Sequence, residues 1–230
     1  MTGTRQENTE RATAGPFAGA IFDMDGTLVH TEPFHQQSWI RALHDLGIEF
    51  DGADYTLRVS GRPGREISRD LFGFDPEQAE DMSSRVTSAF WEIAAGNVEP
   101  LPGVRAFLTR IAHIPKAVAT SARRHSATRM LQELGLLDYF AAIVTADDIS
   151  RGKPEPDIFL LAAERLEVVP ARCMVFEDAV AGVVAAQAAG MYCAAITTTR
   201  DDFPNADLVF SAWDDPRLPA LFPPAPERPR

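Results

Sequence analysis

Short apolar runs without polar interruption recur along this chain, and no other feature constrains its fold as strongly. They read AGAIF at 18–22, AVA at 117–119, AAIV at 141–144, CMVF at 173–176 and YCAAI at 192–196, with a shorter LVF at 208–210. A strand that is apolar on both faces must be covered on both faces, which is the condition of a parallel sheet flanked by helices. Between the later runs lie amphipathic stretches at about 126–134, 156–166 and 179–189, long enough to be the crossover helices that parallel strands need. The alternation predicts an α/β fold, a Rossmann-like doubly wound parallel sheet, with LVF as an edge strand.

The interval between the first two runs breaks this rhythm. From Glu32 to about Val98 the pattern is helical: Pro33 suits a first turn, Phe34, Ile40, Leu43 and Leu46 approximate a 3.6-residue period, and Gly47 stops it. A second helix is expected after Gly64 and a longer one from Pro76 through Met82, Val86, Phe90 and Ile93 to Gly96. The chain thus divides into a core of residues 17–31 and 99–215 and an all-helical cap of residues 32–98 inserted after the first strand. Residues 1–16 are polar and aperiodic and residues 216–230 are rich in proline, so both ends are expected to be tails.

Charge narrows the partners. The chain carries 33 Asp and Glu against 22 Lys and Arg, a net charge of -11, which repels polyanions; neither nucleic acid nor a membrane surface is an expected partner. No apolar run approaches the roughly 18 residues of a membrane span, and the first residues lack the apolar stretch of a secretion signal, so a cytoplasmic protein is expected. Cys173 and Cys193 lie inside apolar runs, where a free cysteine acts as a small buried hydrophobe, and their spacing makes no metal or redox motif.

In an open parallel sheet, ligands gather beyond the carboxyl ends of the strands, so the residues that follow each apolar run carry the chemistry. AGAIF is followed by Asp23-Met24-Asp25-Gly26-Thr27, AVA by Thr120-Ser121, CMVF by Glu177-Asp178, and the loop after AAIV leads to Lys153 ahead of a proline-started helix. Asp23 and Asp25 project to one side if strand geometry persists, and Gly26 permits a positive φ or a close backbone approach. With Glu177 and Asp178 they offer enough hard oxygen for Mg²⁺. Lys153, one of only two lysines in the chain, suits a phosphate as a compact point charge. Singly, each has an ordinary reading: a turn for DxDG, helix caps for Thr120-Ser121 and Glu177-Asp178, a surface position for Lys153. Their occurrence together, in order, at strand exits points to one site.

These segments resemble the motifs of the haloacid dehalogenase superfamily of phosphotransferases. FDMDGTLVHTEP at 22–33 resembles the first motif, VATS at 118–121 the second, RGKPEPDIF at 151–159 the third and VFEDAVAGVVAAQAAG at 175–190 the fourth. The helical insert directly after the first motif is similar to the cap of the beta-phosphoglucomutase-like branch. The resemblance implies a Mg²⁺-dependent phosphatase acting on a small phosphate monoester, a sugar phosphate or similar, through an aspartyl-phosphate. Asp23 would be the nucleophile and Asp25 the general acid and base, while Thr120 and Lys153 would bind and neutralise the phosphoryl oxygens. Mg²⁺ would be held by Asp23, the carbonyl of Asp25 and Asp178, with Glu177 behind them or bridged by water. The aspartate at position 25 separates the chain from dehalogenases and phosphonate-cleaving relatives, which lack it, and from transport ATPases, which carry threonine there. His30 departs from the branch, which has an acidic residue at that point; His35 matches a cap-base histidine.

Substrate choice is expected from the cap. Phe34, His35, Trp39 and the segment 60–66 with Arg62 and Arg65, together with Ser121 from the core, are the candidate substrate-binding residues. A beta-phosphoglucomutase-type sugar phosphomutase is the alternative, but such an enzyme grips a distal phosphate from the cap with an arginine and a lysine. From Ala79 to Leu101 this chain has only Arg85 and no lysine. A catalytically silent binding module would be expected to lack one of the charged site residues, and all are present. The expected partner is a small-molecule phosphate ester, and the expected state a monomer or weak dimer.

Overall fold

A computed structural model describes residues 17–59 and 64–223. Its centre is an all-parallel sheet of β1 (Gly19–Phe22), β2 (Lys116–Ala119), β3 (Ala142–Val144), β4 (Cys173–Glu177), β5 (Tyr192–Ile196) and β6 (Leu208–Phe210), in the order β3-β2-β1-β4-β5-β6. Every apolar run of the sequence became a strand. The order reverses at β1: the chain steps outward through β2 and β3, then restarts at β4 on the other side. The crevice at the carboxyl ends of β1 and β4 is therefore the switch point at which such sheets bind ligands.

Between β1 and β2 lie α1 (Glu32–His44), α2 (Gly52–Arg58), α3 (Gly64–Phe72) and α4 (Pro76–Ala94). They share an apolar cluster of their own built on Trp39, Leu43, Tyr55, Ile67, Met82 and Val86. α4 begins with a full capping box, in which the Asp75 carboxylate accepts from Gln78 N at 2.9 Å and Gln78 Oε1 accepts from Asp75 N at 3.0 Å. Its last turns leave the cap cluster, and Phe90 and Ala94 pack into a core cluster of the sheet. α2 was not legible in the sequence, because GADYTLR has no apolar repeat; Tyr55 on α2 and Val59 just beyond it bury against the other cap helices.

The sheet presents alternate side chains to two layers. Phe22 and Phe176, register partners on β1 and β4, stack at 4.8 Å on the face covered by α5 (Val104–Arg110) and α6 (Arg124–Glu133), which supply Phe107, Leu108, Met130 and Leu131. Ile21 and Val175 point to the opposite face, where α7 (Asp157–Arg165) and α8 (Val180–Ala188) bring Ile158, Phe159 and Val183. Cys173 and Cys193 are free and buried in that layer. Among the described residues no helix is long and apolar enough to cross a membrane.

The C-terminal segment corrects the expectation of a tail from residue 216. A short helix, α9 (Arg217–Ala220), follows β6, and Leu218 and Phe222 are 0% and 2% exposed. The Phe222 ring lies 6.1 Å from Phe17 and 6.2 Å from Phe176. Two apolar anchors among the prolines are enough to hold the segment on the sheet. Replacing Phe222 with Ala is therefore expected to cost about 3 kcal/mol of unfolding free energy, measured by urea denaturation, where a change in a true tail would leave the midpoint unmoved.

Candidate active site

A cavity of about 200 Å³ lies between the carboxyl edge of the sheet and the cap. Its core wall carries Asp23, Asp25, Thr120, Ser121, Arg123, Lys153, Glu177 and Asp178, and its cap wall Glu32, His35, Trp39, Tyr55, Ser83, Thr87, Phe90 and Trp91. At the floor, Lys153 Nζ donates to Asp23 Oδ1 and to Glu177 Oε1, each at 2.5 Å, and to Ala119 O at 3.3 Å. One buried ammonium thus joins the ends of β1, β2 and β4. Glu177 Oε2 accepts from the backbone N–H groups of Asp178 and Ala179, both at 2.9 Å. A Cβ on Gly182 would stand 1.8 Å from Glu177 Oε1, so only glycine at that point of α8 leaves room for the carboxylate. Both Glu177 oxygens are engaged, one by Lys153 and one by the backbone, so the carboxylate holds the lysine in place.

Asp25 is held from the hinge of the cap. Its Oδ1 accepts from Thr31 Oγ1 at 2.6 Å and lies 3.2 Å from His35 Nε2, and the imidazole stacks on Phe90 with centroids 4.5 Å apart. Burial pushes Asp25 up, but the hydrogen bond and charge of His35 and the Thr31 hydroxyl outweigh it and hold the carboxyl below its usual range. The imidazole is correspondingly raised, burial being outweighed by its bond to Asp25. Asp178 Oδ1 accepts from Thr27 Oγ1 at 3.1 Å. Its Oδ2 would stand 2.1 Å from a Cβ on Gly26, whose φ is +77°, so Gly26 supplies both the turn and the close approach expected of it. Thr120 Oγ1 accepts from Ala122 N at 3.0 Å, which leaves its own hydrogen to donate into the cavity.

The lining is short of positive charge. Five carboxylates, Asp23, Asp25, Glu32, Glu177 and Asp178, face Lys153, Arg123 and the imidazole of His35. Asp23 is pushed up to about 8 by burial, with Lys153 opposing the rise and Glu177 and Asp25 adding to it. Asp178 is raised well above the carboxylate range by burial, then by Glu177 and Asp23. Among the described residues no three His, Cys, Asp or Glu side chains converge as a complete ligand set. Mg²⁺ does not need one, since it takes one or two carboxylates and completes its shell with carbonyl, water and substrate oxygens. The crowded, protonation-prone carboxylates fit such an ion.

Most of the residues singled out in the sequence meet in this cavity: Asp23, Asp25, Thr120, Ser121, Lys153, Glu177, Asp178, His35 and Trp39. Arg62 lies outside the described residues. Arg65 does not line the cavity, because its guanidinium is 2.5 Å from Glu80 on α4; this corrects its expected contact with substrate. Phe34 packs against the sheet's core cluster and His30 is exposed. The sequence reading missed Thr31, Glu32, Tyr55 and Arg123. Glu32 Oε1 is buried without a hydrogen-bond partner, and burial together with the Glu32 carboxylate raises the phenol of Tyr55 well above its usual value. Thr198 Oγ1 donates to Gly26 O at 2.6 Å and Thr199 Oγ1 to Asp178 O. Looking beyond the end of YCAAI, as beyond the other strands, was the signal that would have found both threonines.

A doubly wound sheet with a lysine-tethered aspartate at its switch point, roofed by helices inserted after the first strand, is a Rossmann-like α/β core with an inserted helical cap. The chain belongs to the haloacid dehalogenase-like hydrolase family, whose profile matches residues 17–190. It is 38% identical over 177 residues to the fructose-1-phosphate phosphatase YqaB of Escherichia coli (strain K12), a match covering 76% of this chain and 94% of the relative. It is 34% identical to validoxylamine A 7'-phosphate phosphatase of Streptomyces hygroscopicus subsp. limoneus, covering 89% of this chain and 98% of that one. Among solved structures, CbbY from Rhodobacter sphaeroides in complex with phosphate superposes with a TM-score of 0.78 at 25% identity, over 86% of this chain and 96% of that one.

The Asp25–His35 contact has a direct consequence for titration. The carboxylate stabilises the charged imidazole, so the His35 midpoint should lie above 6.5 and fall in an Asp25→Asn variant. A histidine NMR titration reads both; an unmoved midpoint would mean that the contact does not form in solution.

Proposed function

We propose that the protein is a Mg²⁺-dependent phosphatase that hydrolyses a small phosphate monoester, a sugar phosphate or similar, through an aspartyl-phosphate on Asp23. The observation that carries the reading is the 2.5 Å contact between Lys153 Nζ and Asp23 Oδ1 at the floor of the cavity between sheet and cap, with Asp25 held beside it. Two of the relatives named above are phosphatases of phosphorylated sugars or sugar-like compounds by their names.

Lys153 holds one oxygen of Asp23 and orients the other for attack on phosphorus. As the Asp23 oxygen bonds to phosphorus, the bond to the leaving alkoxide breaks, and the alkoxide takes its proton from Asp25. Asp25 then accepts a proton from the water that attacks the phosphorus of the acyl phosphate, releasing inorganic phosphate and restoring the Asp23 carboxylate. The depressed Asp25 suits the second step. For the first, the proton is at hand on His35, 3.2 Å from Asp25 Oδ1. Thr120, Lys153 and backbone N–H groups bind the non-bridging oxygens, where charge grows in the transition state. Asp23, Asp178 and the carbonyl of Asp25 would hold Mg²⁺, which when bound supplies positive charge beside the phosphoryl oxygens. On the cap wall, Glu32 Oε1 is a buried acceptor without a partner and, with the hydroxyls of Tyr55, Ser83 and Thr87, suits a hydroxylated leaving group.

The decisive assay is phosphate release from a panel of hexose, pentose and polyol phosphates. Activity is expected with Mg²⁺, lost with chelator and lost in Asp23→Asn, while Asp25→Ala should retain Mg²⁺ binding and lose roughly 10²–10⁴-fold in rate. Interconversion of sugar phosphates without phosphate release would instead make the protein a phosphomutase. Because burial pushes Asp23 up to about 8 in the metal-free site, Mg²⁺ binding at neutral pH should expel protons, and expel fewer as the pH rises past that value. Calorimetry in buffers of different ionisation enthalpy measures this directly; binding without proton release at pH 7 would contradict the charge balance described above.

A further inference from the structure

We propose that Glu80 fills an anion-binding position formed by Arg65 and Arg123 at the rim of the cavity, and so restricts the enzyme to substrates bearing a single phosphate. The inference rests on the phosphatase reading given above. Arg65 is on the cap helix α3, while Arg123 belongs to the core, in the loop between β2 and α6. Arg65 Nη2 lies 2.5 Å from Glu80 Oε2, and Arg123 Nη2 donates to Glu80 Oε1. Each carboxylate oxygen therefore takes one guanidinium, the arrangement that the same two arginines would offer to two oxygens of a phosphate. Arg123 lines the cavity, as do Gly64, next to Arg65, and Ser83, one helical turn beyond Glu80. The hydrogen bond from Arg123, stronger than the opposing effect of burial, and the charge of both arginines hold the Glu80 carboxyl below its usual range, so the internal anion persists at working pH.

A leaving group with a second phosphate would meet there a carboxylate that repels it and two cations already engaged. A hydroxyl at the same point meets no such penalty. Selectivity of this kind comes from a built-in repulsive element rather than from tighter contacts to the preferred ligand. The same carboxylate links cap to core, so closure over a monophosphate does not require a distal anion to draw the two together.

The test is Glu80→Gln, a replacement of similar size, assayed with a sugar monophosphate and the corresponding bisphosphate. The ratio of kcat/KM for bisphosphate to monophosphate should rise about tenfold over the parent enzyme, and the double variant Glu80→Gln/Arg123→Gln should lose that gain. Calorimetric binding of the same two ligands, with Asp23→Asn added to block turnover, should show the bisphosphate binding about tenfold tighter when Glu80 is replaced. An unchanged ratio, or equal bisphosphate binding with and without Glu80, overturns the proposal. Absence of phosphate release from every ester by the parent enzyme would sink the phosphatase reading instead, and the binding comparison would still decide the role of Glu80.

Discussion

The ammonium of Lys153, wedged between Asp23 and Glu177, is the interaction on which the site is built. Taking a cation and two carboxylates out of water is costly unless each is paired and hydrogen-bonded. Here the lysine has three acceptors, and Glu177 fills its remaining oxygen with two backbone donors. The arrangement follows from sheet topology. Because β1 and β4 are neighbours with Phe22 opposite Phe176, the next residue on each strand, Asp23 and Glu177, must emerge side by side. Lys153 arrives from the loop before α7 to separate them. Removing the cation would leave two like charges buried together, so fold and chemistry share one dependence.

Close packing of backbone against carboxylate is the second condition. Gly26 and Gly182 each stand where any Cβ would overlap an acidic side chain, Asp178 and Glu177 respectively. The hydroxyls of Thr27, Thr198 and Thr199 brace the same loops through Asp178 and the carbonyls of Gly26 and Asp178. The Trp213 indole N–H, donating to Thr27 O at 3.0 Å, ties the loop after β1 to the chain beyond β6. These contacts fix the acids before any ligand arrives, which is the preorganisation that stabilising a charged transition state needs.

The strands and the core half of the site were legible in the sequence for one reason: a strand buried on both faces announces itself as an unbroken apolar run, and the fold rule then says where to look. Asp23, Asp25, Thr120, Lys153 and Asp178 all follow from that step. The cap was legible as helices but not as a binding surface, because periodicity tells which face of a helix is apolar and not where a long side chain ends. Arg65 turned to Glu80, and Arg123 entered the cavity unannounced. α2 lacked a periodic signal, and the prolines after residue 215 concealed the anchoring of Leu218 and Phe222. The pairing of Glu177 with Lys153, which comes from a loop 24 positions earlier in the chain, was not legible because only tertiary structure sets it.

Rapid acid quench of a single turnover tests most directly whether Asp23 becomes covalently phosphorylated. An Asp25→Asn variant, deprived of the base for the second step, should accumulate the intermediate from an aryl phosphate, whose phenolate leaves without the proton that an alkoxide needs. Incubated with that ester and Mg²⁺, its peptide containing Asp23 should carry an acid-stable, hydroxylamine-labile phosphoryl group in the mass spectrum. Recovery of unmodified Asp23 from a variant that still cleaves the ester, with phosphate released in the same turnover, would mean that water attacks phosphorus directly and that the tethered aspartate is not the nucleophile.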